Sequence, residues 1–141
     1  MGFVALICGV GLWWGAHLFG RVLPDQRVAM GDKGRGLVAL LIGLSIVIMI
    51  LGYRAAPFVH VWAPPLALFH INNLLVLIAI WMMSPAGQKG RILNRIRHPM
   101  LVGLGIWAIA HLLVNGDAAS ILLFGGLLIW AGVEVVVINT A

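Results

Sequence analysis

Among the polar residues in or at the ends of apolar segments, His17, His70, His98, His111, Asn72, Asn73 and Glu134 carry the chemistry. Ionisable side chains at membrane depth are costly to keep, so they mark sites where a ligand, a metal or another helix is gripped. Gly103, Trp107, His111 and Asn115 recur every four residues and share one helical face. A small residue, a flat aromatic and an imidazole in line would suit a planar cofactor. The plainer alternative is an interhelical hydrogen bond from His111, with Gly103 only allowing close packing. His70 and Asn73 share a face by their three-residue spacing, while Asn72 points elsewhere.

The Arg97-His98-Pro99 run reads first as a helix start, with histidine at the cap and arginine near lipid phosphate. Glu134 falls at a similar depth, and a pairing with Arg97 or His98 would offset its burial. No glycine-rich phosphate loop, paired carboxylate or cysteine cluster accompanies these residues. The lone Cys8 permits no disulfide within the chain.

The elements that must position this chemistry are helices in lipid. The chain has 141 residues, of which 62% are hydrophobic and only 9% charged. That balance excludes an ordinary soluble domain. Five apolar stretches stand out: Phe3–Phe19, Leu37–Tyr53, Pro64–Met83, Pro99–Val114 and Ala118–Ile138. Each approaches the length of about 20 residues that a spanning helix needs. Unpaired backbone groups are not tolerated in hydrocarbon, and nothing alternates at period two, so a helix bundle is expected rather than a barrel. The first stretch lacks a basic leader and a small-x-small cleavage site, so it is read as a helix.

A net charge of +5 would suggest nucleic acid were the basic residues not so placed. Arg21, Arg27, Lys33 and Arg35 follow the first stretch; Lys89, Arg91, Arg95 and Arg97 precede the fourth; Arg54 stands apart. With five spans these two loops share a side, and the positive-inside rule makes it cytoplasmic. The expected architecture is therefore all-α: a polytopic bundle of about five membrane helices, N-terminus outside and C-terminus cytoplasmic. Nucleic acid is not an expected partner; the lipid bilayer is.

Ala5 and Gly9, and Gly11 and Gly15, are small-residue pairs four apart that let another backbone approach. Residues 20–36 read as a polar loop, and Leu37–Tyr53 as a lipid-facing packing helix. The segment 54–63, with Phe58, His60 and Trp62, reads as lying at the outer interface. Pro64-Pro65 suits a helix start and Ser84-Pro85 a stop, while Asn115-Gly116-Asp117 reads as a tight turn whose aspartate caps the last helix. No internal repeat is evident, and residues 1–141 read as one domain. By depth along these helices, His70 belongs with His111 and His17 with His98.

The chain also resembles a known family. Gly90-Arg91-Ile92-Leu93-Asn94-Arg95-Ile96-Arg97-His98-Pro99, then Gly103, Trp107 and Ala110-His111-Leu112-Leu113-Val114-Asn115-Gly116-Asp117, resemble the NnrU family, as do Phe124-Gly125 and His17 with its basic loop. That resemblance implies a bacterial inner-membrane protein associated with nitrite and nitric oxide reduction. NnrU proteins are similar to the plant zeta-carotene isomerase, a membrane protein with histidine-ligated haem b. The resemblance thus implies haem b, with His111 and His17 as ligands. The residue reading leaves the partner of His111 open between His17 and His70, with Gly103 and Trp107 beside the ring.

The arginine-histidine-proline helix start also looks like isoprenylcysteine carboxyl methyltransferases and their phospholipid-methylating relatives. That resemblance implies S-adenosylmethionine as cofactor, with Arg97, His98 and Glu134 in its pocket. Those enzymes need a further segment with paired glutamates, and Glu134 is the one candidate here. A non-catalytic assembly partner of nitrogen-oxide reductases is the third expectation.

Overall fold

A computed structural model describes residues 1–140. Seven α-helices follow one another: α1 Gly2–Val22, α2 Pro24–Ala29, α3 Gly31–Ala55, α4 Ala67–Met83, α5 Pro85–Gln88, α6 Pro99–Val114 and α7 Ala118–Thr140. A short 3₁₀ turn, Leu93–Arg95, precedes α6. Among the described residues no strand occurs; one isolated bridge pairs His60 with Asp117. Helices α1, α3 and α7 are each long and apolar enough to cross a membrane, at 21, 25 and 23 residues. The apolar helices α4 and α6 are shorter, at 17 and 16 residues.

The hydropathy of the sequence locates these helices but not all of their ends. Residues 20–36, expected as a loop, are mostly helical. Helix α1 runs to Val22 and breaks at Leu23 (φ −126°, ψ 62°); Pro24 then opens α2. Gly31, at φ +53°, is the one described residue in the left-handed region and turns the chain into α3. Arginine, lysine and glutamine are good helix formers, so a helix need not end where its apolar stretch does.

The chain falls into two compact units, Met1–Phe58 with Val137–Ala141, and Val59–Val136. The first is built on α1 packed along α3. Gly9 and Gly52 make that approach possible: a Cβ on Gly9 would lie 2.7 Å from Met49 Cγ, and one on Gly52 would lie 2.5 Å from the Leu6 nitrogen. Leu6 and Ser45 are fully buried, and Ser45 returns its hydroxyl to the Ile42 carbonyl at 2.6 Å. Glycine lets backbones close to where dispersion contacts accumulate, which is how helices associate without a hydrophobic drive in lipid. Of the two small-residue pairs in α1, Ala5–Gly9 is used in this way. Gly11 and Gly15 have nothing within 4 Å of a built Cβ.

The second unit contains α4 packed against α6. Gly103 meets Met83 Cγ at 2.9 Å and Met82 Cβ at 3.1 Å through its built Cβ. Ser84 ends α4, its hydroxyl donating to the Trp81 carbonyl at 2.7 Å and accepting from the Gly87 N–H at 3.0 Å. Pro99 takes the first position of α6, as expected, with His98 at the cap position. The turn before α7 is tied to residues 59–62. The Gly116 carbonyl accepts from Val61 and Trp62 N–H groups at 2.7 and 3.0 Å, and the Ala118 N–H donates to the Val59 carbonyl at 2.9 Å. A Cβ on Gly116 would run into the Trp62 carbonyl, so glycine is required there. Buried Asp117 caps α7, accepting the Ser120 N–H at 3.0 Å and the Ser120 hydroxyl at 2.6 Å.

Candidate functional site: paired tryptophan–histidine elements

The site is best built from one imidazole. His111 lies in the last turn of α6, half-buried, with its Nδ1 2.9 Å from the carbonyl oxygen of Trp107 one turn earlier. A carbonyl only accepts, so the hydrogen of this bond sits on Nδ1. In the neutral ring that leaves Nε2 unprotonated, with its lone pair directed outward. Among the described residues nothing hydrogen-bonds to His111 Nε2. Fixing one nitrogen through a backbone carbonyl is the usual way a protein sets the tautomer and orientation of a ligating imidazole.

Two aromatic rings hold His111 in place. Trp107 lies tilted against it, centroids 4.5 Å apart, and Phe124 of α7 stacks on it at 4.5 Å and 29°. Phe124 in turn meets Trp107 edge-on at 5.2 Å. Asn115 closes the helix, its side-chain N–H donating to the His111 carbonyl at 2.8 Å. The imidazole thus has a fixed ring plane, a fixed tautomer and one uncommitted nitrogen. Such a group can donate a lone pair to a metal or accept a hydrogen bond.

His17 repeats the arrangement in the other unit. Its Nδ1 is 2.9 Å from the Trp13 carbonyl oxygen, and the two rings are 4.2 Å apart and tilted by 40°. The sequence explains the likeness. Gly9-Val10-Gly11-Leu12-Trp13-Trp14-Gly15-Ala16-His17 and Gly103-Leu104-Gly105-Ile106-Trp107-Ala108-Ile109-Ala110-His111 agree at both glycines, the tryptophan, the alanine and the histidine. In each copy the leading glycine is pressed against a methionine, Met49 for Gly9 and Met82–Met83 for Gly103. This internal repeat was legible from sequence, through the glycine-tryptophan-histidine spacing of four, and was missed there. A third helix carries the same frame with a carboxylate at its end: Gly126, Trp130 and Glu134 of α7, the last two buried.

The remaining candidates are more scattered. His70 and Asn73 are exposed on α4. Asn72, expected to point away, is the one that reaches α6: in the amide orientation that satisfies both of its ends, its Nδ2 donates to the Ala110 carbonyl at 2.9 Å. Arg97 is exposed and His98 half-buried ahead of α6, and Glu134 is buried on α7. Gly103 spends its open side on α4. Among the described residues no group of three or more His, Cys, Asp or Glu gathers as a metal centre would require. A macrocycle that brings four nitrogens of its own needs only one or two protein ligands, which is what this arrangement can supply.

Comparison with curated proteins and with solved structures finds no match. The family model described as NnrU protein matches residues 5–141, a stretch that includes both tryptophan–histidine elements. Nearly the whole chain is thereby accounted for, and this protein belongs to the NnrU family.

Proposed function

We propose that this NnrU-family membrane protein binds haem b, with Nε2 of His111 as an axial ligand. The observation that carries the reading is the Nδ1–H bond from His111 to the Trp107 carbonyl, which leaves the second ring nitrogen ready for iron. The second ligand is taken from His70, exposed on α4 and at the depth of His111, or His17, held by Trp13 as His111 is by Trp107. Bound haem would supply one-electron chemistry or binding of a diatomic gas, depending on whether one or two histidines ligate. Trp107 and Phe124 keep the His111 ring from rotating and shield it from water. Arg54, or an arginine of the basic segment ahead of α6, is the cation suited to haem carboxylates.

The protein is read as residing in the bacterial inner membrane, working beside nitrite and nitric oxide reduction, with reductase components as partners. Five spans place the N-terminus outside and the C-terminus in the cytoplasm, with both basic segments on the inner side. Both units are read as parts of one NnrU domain. The test is the visible spectrum of protein purified after expression with added haem precursor. A Soret band is expected for the parent chain, reduced to background in His111→Ala. A parent chain with no Soret absorption would remove the reading.

A further inference from the structure

A second feature lies wholly within the first unit, at the end of α1. A pocket of about 300 Å³ is lined by Ala16, His17, Gly20, Arg21, Arg27 and Val38. Arg27 is built into it. Its Nη1 donates to the Gly31 carbonyl at 3.1 Å, and two glycines make room for the side chain. A Cβ on Gly34 would lie 2.8 Å from that Nη1, and one on Gly20 would lie 3.5 Å from the Arg27 Cγ. Arg27 is half-buried, and among the described residues no carboxylate pairs with it. The nearby Asp32 faces Arg35 instead, at 3.6 Å. One donor of the guanidinium is thus anchored, and Asp32, which shares a neighbouring pocket with Arg27, forms its ion pair with Arg35.

Ala16 and Val38 also line a second, apolar cavity of about 170 Å³, together with Leu12, Gly15, Phe19, Leu37 and Leu41. It runs along α1 for about 10 Å, from Leu12 to Phe19. Gly15 leaves its floor open, with nothing within 4 Å of a built Cβ. A cationic pocket that continues into an apolar groove, on a helix long enough to span, matches an amphiphile with an anionic head. In a bilayer the amphiphile of that chemistry is an anionic phospholipid. Guanidinium groups bind phosphate through paired N–H donors as well as by charge.

We infer that the α1–α3 pair carries a specific site for one anionic phospholipid, the phosphate held by Arg27 and Arg21 and an acyl chain lying over Gly15. The site goes beyond haem binding and does not depend on it. Native mass spectrometry of the full chain in detergent, titrated with phosphatidylglycerol, phosphatidylcholine or inorganic phosphate, tests it. Phosphatidylglycerol is expected to bind about tenfold more tightly than phosphatidylcholine. Arg27→Ala should weaken it about fivefold and Arg21→Ala/Arg27→Ala about twentyfold, as expected for two cations at a membrane surface. Arg27→Lys should fall between parent and alanine variant. Gly15→Leu, which fills the groove, should weaken the lipid while leaving phosphate binding alone, and circular dichroism of each variant checks the helices.

Equal binding of the two lipids would overturn the inference, as would indifference to Arg27→Ala. Phosphate binding as tight as phosphatidylglycerol, unaffected by Gly15→Leu, would make this an anion site with no lipid specificity and equally overturn it. Absorbance of the same samples reports haem separately, so failure here and failure of the haem reading are seen in different channels.

Discussion

At the scale of single residues, the chemistry turns on where one hydrogen sits. A histidine in a helix can point Nδ1 at the carbonyl four residues back, and both His17 and His111 do so, each at 2.9 Å. Nitrogen-15 spectra of the haem-free protein should therefore show His111 protonated at Nδ1 and bare at Nε2. The opposite tautomer would break the link between geometry and ligation. Asp117 offers a stability test of the same precision. It satisfies the Ser120 N–H and hydroxyl in a buried setting, so Asp117→Ala should cost about 1–2 kcal/mol in reversible detergent unfolding. The residue types were legible in the sequence. Which asparagine would reach a neighbour was not, because Asn72 and Asn73 differ only by the rotation of α4 against α6, and that rotation is set by packing of Ala79, Met82 and Met83 around Gly103.

At the scale of elements, glycine decides which helix faces meet. Gly9 lies against the Met49 backbone nitrogen at 2.8 Å through its built Cβ, and a backbone atom cannot move aside as a side chain can. Gly9→Val should destabilise the α1–α3 pair by about 1–3 kcal/mol, whereas Gly11→Ala, with open space around it, should be neutral or slightly stabilising. Comparing the unfolding midpoints of the two variants in detergent checks both statements. The apolar stretches gave good positions for α1, α3, α4, α6 and α7, since lipid solubility imposes them. The same signal was silent on residues 20–36, where helix continues through charged sequence that hydropathy cannot distinguish from loop. It was silent also on the tie between residues 59–62 and the Asn115–Asp117 turn. That tie is made by backbone groups, and its one trace in the sequence is Gly116.

At the scale of the whole molecule, the chain is an all-helical NnrU-family membrane protein whose basic residues are confined almost entirely to two segments. The proposed five-span topology puts both segments on the cytoplasmic side. On a Cys8→Ser background, a cysteine at Lys33 or Lys89 should be labelled by an impermeant maleimide only after the inner face is opened. A cysteine at Val61 should be labelled from outside in intact cells. The family assignment rests on residues 5–141, and the resemblance seen in sequence, from Arg97-His98-Pro99 through Asn115-Gly116-Asp117, lies inside that range. The repeat of the tryptophan–histidine element was equally present in the sequence, yet its meaning depends on Nδ1 geometry that only coordinates supply. The haem reading is tested most directly by chemical rescue, recording the Soret band of His111→Gly before and after adding imidazole. A band that is lost in the variant and returns with imidazole is the predicted result. A band that survives His111→Gly undiminished would contradict ligation by His111.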